Sequence, residues 1–236
     1  MGYTENDIIK MCEDRFENIR DFYKGPCVNY TGKCSDTGEY YTEVIARYLC
    51  EHIDEFIKGL EKEQVTRESS YKVKGHDGEH GDTNRDEEEI AMDMFKYCEN
   101  GGKYDYIGKI IDYQTPLKNT SNDKGLGKID LLAHNNETNI MRILELKKPD
   151  SKETMLRCVL EGFTYLQIVD KEKLANNFGH EGAVVKASPF VFAGDESNPY
   201  REMKEEKPWL KKLMELLDSK PYYIEGDFPY NIVDEI

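Results

Sequence analysis

Two apolar runs, KIDLLAH (128–134) and NIMRILELKK (139–148), are joined through Asn135-Asn136-Glu137-Thr138-Asn139. Both are rich in large aliphatic residues, and the join is made of turn formers, so the pair is expected to be a β-hairpin. Pro149 follows at once and would end the second strand, because its ring supplies no N–H to a ladder. A third strand-like run, centred on Ile107 to Tyr113, lies upstream within residues 104–117. VVKASPFVFAG (184–194) reads as a fourth strand, and PYYIEG (221–226) as a short edge strand.

Helical spacing surrounds these strands. Residues 5–23 repeat apolar positions at three- and four-residue steps (Ile8, Met11, Cys12, Phe16, Ile19, Phe22), and residues 39–63 do so through Val44, Tyr48, Phe56 and Leu60. Together they read as an N-terminal helical region, residues 1–65. Residues 66–85 are nearly devoid of large apolar side chains and read as an exposed linker. Asn84 or Asp86 is placed to cap a helix over 86–99, closed by Gly101 and Gly102. Residues 151–169 form a long helical pattern with Ser151 as its expected cap, and residues 207–219 an amphipathic one, in which Trp209 and the leucines after it are ordinary core. The order helix, three strands, helix, strand, helix gives an α/β domain over 86–236, with a mixed central sheet flanked by helices and an N-terminal helical extension.

The composition, 38% hydrophobic with 16 Tyr and 9 Phe, suits a globular protein. No apolar run nears the roughly 20 residues that cross a bilayer, and the acidic N-terminus lacks a secretory pattern, so no membrane association and a cytoplasmic location are expected. The six cysteines are spread without a framework and are expected to be reduced. A net charge of −15 argues against general affinity for phosphate backbones, which rests on clustered Lys and Arg.

The chemistry centres on Asp130 and, fifteen residues on, Glu145-Leu146-Lys147. Alternation along a strand puts Glu145 and Lys147 on one face, and a hairpin brings Asp130 beside Glu145. Two carboxylates plus the Leu146 carbonyl make a hard oxygen site suited to Mg²⁺, or to Mn²⁺. Lys147 beside it is placed to orient or deprotonate a water, or to stabilise charge developing on a phosphate. As surface charge the string would mean little. Here both acids sit inside apolar runs, where a carboxylate is costly unless compensated.

The arrangement Gly-Lys-Ile-Asp130…Ile-Leu-Glu145-Leu-Lys147, with a helix before the sheet and another after the Glu-X-Lys strand, resembles the PD-(D/E)XK nuclease superfamily over roughly residues 84–194. The resemblance implies a restriction endonuclease-like fold and a metal-dependent nuclease, with DNA the expected substrate ahead of RNA. It also implies a further acidic ligand from the first helix. Glu88 is the choice among the glutamates there, because it lies three residues before Ala91 and seven before Phe95 on the apolar side; Glu87 ranks next. Many members carry Gln and Tyr four apart on the following helix; here Glu161 and Tyr165 occupy that spacing, so Glu161 departs from the pattern. Arg157, one turn earlier, is in reach of a substrate phosphate. Arg157, Glu161 and Tyr165 are the expected substrate-binding residues.

The acidity motivates an alternative, a catalytically silent nuclease-fold binding or regulatory module acting through a protein partner. Restriction-type members often work as homodimers. A zinc reading of His76-x3-His80 with Cys27 and Cys34 is weaker, since the cysteine spacing is wider than that of usual finger pairs.

Overall fold

The computed structural model describes residues 2–76, 86–118 and 126–235. Asn84 and His80, proposed above as a cap and a ligand, lie outside them.

The expected hairpin is present. Strands β2 (Lys128–Asn135) and β3 (Ile140–Lys147) pair antiparallel from Leu131↔Leu144 to Asn135↔Ile140. Asn135 shapes the turn: its Oδ1 accepts from Glu137 N at 2.9 Å and Thr138 N at 3.3 Å. Strand β1 (Lys109–Pro116) pairs antiparallel with β2. It starts later than predicted, because Tyr104 to Gly108 form a tight turn with Tyr106 and Gly108 at positive φ. Gly108 is needed there, since a Cβ would lie 2.3 Å from the His134 carbonyl oxygen.

Beyond β3 the sheet continues with β4 (Val184–Phe192), parallel to β3, then β5 (Tyr222–Glu225), parallel to β4, and β6 (Asn231–Val233), antiparallel to β5. The result is a six-stranded mixed open sheet in the order β1 to β6. β5 is therefore interior and not the expected edge. The three-residue β6, which covers it, is too short to carry a period-2 signal.

Helices lie on both faces. α1 (Glu5–Phe16) opens on a capping box between Thr4 and Asp7. It ends seven residues sooner than predicted: Asn18 leaves helical geometry and bonds Asp21, and 3-10 turns over Ile19–Lys24 and Pro26–Asn29 follow. The second predicted helix is two, α2 (Tyr41–Glu51) and α3 (Ile53–Glu61). They divide at His52, whose ring stacks on Tyr48 at 4.2 Å with its Nδ1 2.8 Å from the Tyr48 carbonyl oxygen. α4 (Asp86–Glu99) matches its predicted limits. α5 (Met155–Ile168) begins at a Thr154 cap and not at Ser151, because Ser151 closes a turn onto Lys148. α6 (Lys171–Asn177) and α7 (Asn198–Lys204), each of seven residues, were not anticipated; α8 (Pro208–Leu216) was.

α4 covers one sheet face through Ala91, Met94, Phe95 and Cys98 against Leu131, Leu144 and Leu146. The other face, through Met141 and Ile143, belongs to a larger core that joins α5 and α8 to Ile8, Cys12, Phe22, Val44 and Leu60. The N-terminal helices thus bury their stripes in the same core as the sheet. Residues 66–76 are mostly exposed, as expected of a linker, but the segment is tied to the core. Tyr71 is fully buried, and its N–H donates to Asn177 Oδ1 at 2.7 Å. Val65 bridges Val169 as a short parallel pair. Average polarity hid one large side chain able to pin the segment down.

Candidate active site

Asp130 and Glu145 come one residue beyond the paired Leu131 and Leu144, so they sit side by side on β2 and β3. Glu145 and Lys147 follow Met141 and Ile143 onto the α5 face. Lys147 Nζ lies 2.7 Å from Glu145 Oε1, 3.0 Å from Glu153 Oε2 and 3.7 Å from Glu161 Oε2. Asp130 is held differently: Leu146 N donates to Oδ2 at 3.1 Å and Gln114 Nε2 to Oδ1 at 3.3 Å. The Leu146 side chain is buried on the opposite, α4 face.

The charge state follows from burial. Asp130 keeps some residue surface, but its carboxylate is closely surrounded, and that burial pushes it up to about 7, against the pull of Lys147 and with help from Glu161 and Glu87. Glu145 is held well above the carboxylate range by burial first, then by Asp130 and Glu161. Burial alone would push Lys147 down; Glu145 and Glu161 overcome this and hold its ammonium well above the ordinary range. These carboxylates thus favour the charged form of Lys147.

α5 supplies the remaining groups. Arg157 Nε lies 3.2 Å from Glu153 Oε1 and 3.7 Å from Glu161 Oε2, and the guanidinium sits 5.9 Å from the Tyr23 ring centre. The buried Tyr165 hydroxyl donates to Glu161 Oε1 at 3.0 Å and lies 3.3 Å from the Tyr23 hydroxyl. Gly127, entering β2, leaves room for that hydroxyl, since a Cβ there would lie 2.2 Å from it. The structure thus gathers Asp130, Glu145, Lys147, Arg157, Glu161 and Tyr165 into one network.

From α4, Glu87 is the acid whose charge acts on Asp130, and its Oε1 accepts from Lys148 N at 3.0 Å. Glu88, the sequence choice, is half-buried in the same turn. Two further participants were missed. Glu153 was legible, standing four residues before Arg157 in the series Glu153, Arg157, Glu161, Tyr165. Tyr23 was not, because it comes from the N-terminal segment, 142 positions away from Tyr165.

Among the described residues, no group of three or more His, Cys, Asp or Glu side chains is arranged to hold a metal ion. The donor chemistry at β2 and β3 nevertheless fits Mg²⁺, which typically takes one or two carboxylates plus substrate phosphate oxygens and not an all-protein cage. Two buried carboxylates with raised affinity for a proton have the same unmet demand for positive charge. The zinc reading gains no support among the described residues: Cys27, Cys34 and His76 belong to no group of three or more possible ligands, and His80 lies outside those residues. No helix among the described residues is long and apolar enough to cross a membrane. Comparison with protein-family models, with curated proteins and with solved structures yields no match.

Proposed function

We propose that the chain is a metal-dependent nuclease of the PD-(D/E)XK type, hydrolysing phosphodiester bonds, with DNA its substrate ahead of RNA and Mg²⁺, or Mn²⁺, its cofactor. The observation that carries this reading is the approach of Asp130, Glu145 and Lys147 on neighbouring strands, in a setting where burial leaves both carboxyls short of positive charge. Asp130, Glu145 and the Leu146 carbonyl would hold the ion, with an α4 glutamate at the margin. A bound divalent ion polarises the phosphate and lowers the pKa of water. The chain's own contribution is charge and orientation. Lys147, kept cationic by Glu145 and Glu161, stands where negative charge accumulates on the phosphoryl oxygens. Glu153 and Glu161 fix the ammonium in place, and Arg157 offers a second cation to the substrate backbone.

The test is nicking of supercoiled plasmid with Mg²⁺ or Mn²⁺ by wild type, Asp130→Asn and Lys147→Ala, with circular dichroism to check folding. Each substitution should lower the rate by on the order of 10²-fold or more, the usual cost of removing one stabiliser of transition-state charge. Equal cleavage by all three proteins would remove the site from consideration.

One observation favours a second reading, a silent nuclease-fold module that docks a protein partner: Lys147 is shared among three carboxylates, so the site is already largely neutralised from within. Calorimetry with Mn²⁺ separates the two, since a nuclease must take up the ion and lose that uptake in Asp130→Asn.

A further inference from the structure

Four cationic side chains are more than nine-tenths buried among the described residues: Arg67, Arg142, Lys147 and Lys207. Three have their charge answered. Arg67 donates to the backbone carbonyls of Ser70 and Lys118, Lys147 pairs with Glu145, and Lys207 with Glu202. Arg142 is different. Its Nη1 is sealed from solvent and meets no acceptor among the described residues, and the Tyr222 ring is set against its charge, 5.2 Å from the guanidinium carbon. A ring face offsets only a fraction of what it costs to take a cation out of water.

No carboxylate among the described residues forms an ion pair with it. Arg142 stands in β3 between Ala133 of β2 and Lys186 of β4, on the face opposite Met141 and Ile143 and toward the start of the strand. It is therefore apart from the Glu145 and Lys147 site, on the other face. Lys186, its parallel partner, adds a second positive charge there and pairs with Asp218 at 2.7 Å, and among the described residues no acid forms an ion pair with Arg142 itself. Tyr106, 49% exposed, stands with its ring 6.3 Å from that of Tyr222. Nε and Nη2 are not among the buried atoms that lack a partner, and the residue keeps 8% of its surface exposed.

We propose that Arg142 anchors a second binding site, which takes a small oxyanion group, phosphate or carboxylate, on the guanidinium fork above Tyr222. The Nε and Nη2 edge of the planar guanidinium matches two oxygens of one such group, which a single water cannot do while also cancelling the charge. The site is independent of the proposed hydrolysis.

The experiment is a titration of the ¹⁵N-labelled full chain with inorganic phosphate and, separately, with acetate, at constant pH and ionic strength. The Arg142 Nε–H and Tyr222 amide signals are followed. Wild type should show a saturable shift confined to these signals, and Arg142→Leu should show none at Tyr222. Without phosphate, Arg142→Leu should melt at or above the wild-type temperature, because it removes a buried unanswered charge. Arg142→Lys, which keeps the charge but loses the fork, should bind at least about tenfold more weakly, and it decides the matter if the leucine variant does not fold. Saturation by phosphate alone identifies a phosphate ligand, and saturation by acetate a carboxylate. No saturable shift in wild type, or an unchanged affinity in either variant, overturns the site.

Discussion

Asp130 and Glu145 stand side by side in a buried setting that raises both carboxyls, and this gives their pH dependence a definite sign. The folded-state value of Asp130 is raised, to about 7 from 3.8, so the folded chain holds this proton more tightly than the unfolded chain. Stability from this group is complete below about pH 4 and is lost as the pH rises through 7; the raised Glu145 acts in the same direction. With no divalent ion present, the unfolding midpoint should therefore fall between pH 5 and 8. In Asp130→Asn the decline should be flatter, because the substitution removes one buried carboxyl and relieves the other. A wild-type melting temperature that rises with pH over this range would contradict the assignment. These residues were readable in advance because alternation along a strand is a local rule. Tyr23 was not, since nothing local to it signals that its hydroxyl meets that of Tyr165.

At the scale of elements, α5 connects the site to the N-terminal segment. Thr154, its cap, accepts from Arg157 N at 3.1 Å while its hydroxyl donates to the Val28 carbonyl at 2.6 Å, and Thr154 N donates to Asn29 Oδ1 at 3.1 Å. One fully buried hydroxyl thus starts the helix that carries Arg157, Glu161 and Tyr165 and ties it to the turn at residues 26–29. Thr154→Ala loses the cap and leaves the Val28 carbonyl unsatisfied, at a combined cost of roughly 2–3 kcal/mol. Urea unfolding should register this as a lower midpoint at unchanged m-value. A loss under about 0.5 kcal/mol, the level of an ordinary surface substitution, would show that the connection carries no weight. Sequence placed the body of α5 correctly and its start three residues early, because Ser151 and Thr154 are both competent caps. The choice between them was made by Val28 and Asn29, far away along the chain.

For the whole molecule, the two core clusters lie on opposite faces of one sheet, and the larger contains Ile8, Phe22 and Leu60 together with Leu156, Phe163 and Leu213. A chain built this way should unfold as a single unit. Heat and urea should give coincident transitions by far-ultraviolet circular dichroism and by Trp209 fluorescence. A fragment that begins at residue 86 should expose the apolar underside of α5 and fail to fold as a monomer. Two separated transitions, or a well-folded fragment, would support a boundary between residues 1–65 and the rest. The boundary placed at 66–85 came from local composition. Composition does not report that Tyr71 reaches back into the core or that α2 packs along α8.

By itself the sequence determined the hairpin of β2 and β3, the span of α4, and the shared face of Glu145 and Lys147. Each depends on spacing and turn chemistry within about twenty residues, where backbone geometry alone decides direction. Only the tertiary structure decided the sheet order past β4, the merging of the N-terminal helices into one core, the effect of Glu87 on Asp130, and the buried setting of Arg142. Those outcomes depend on which distant groups come to share a buried space, and the energy of a buried charge is set by its neighbours and not by its place in the chain.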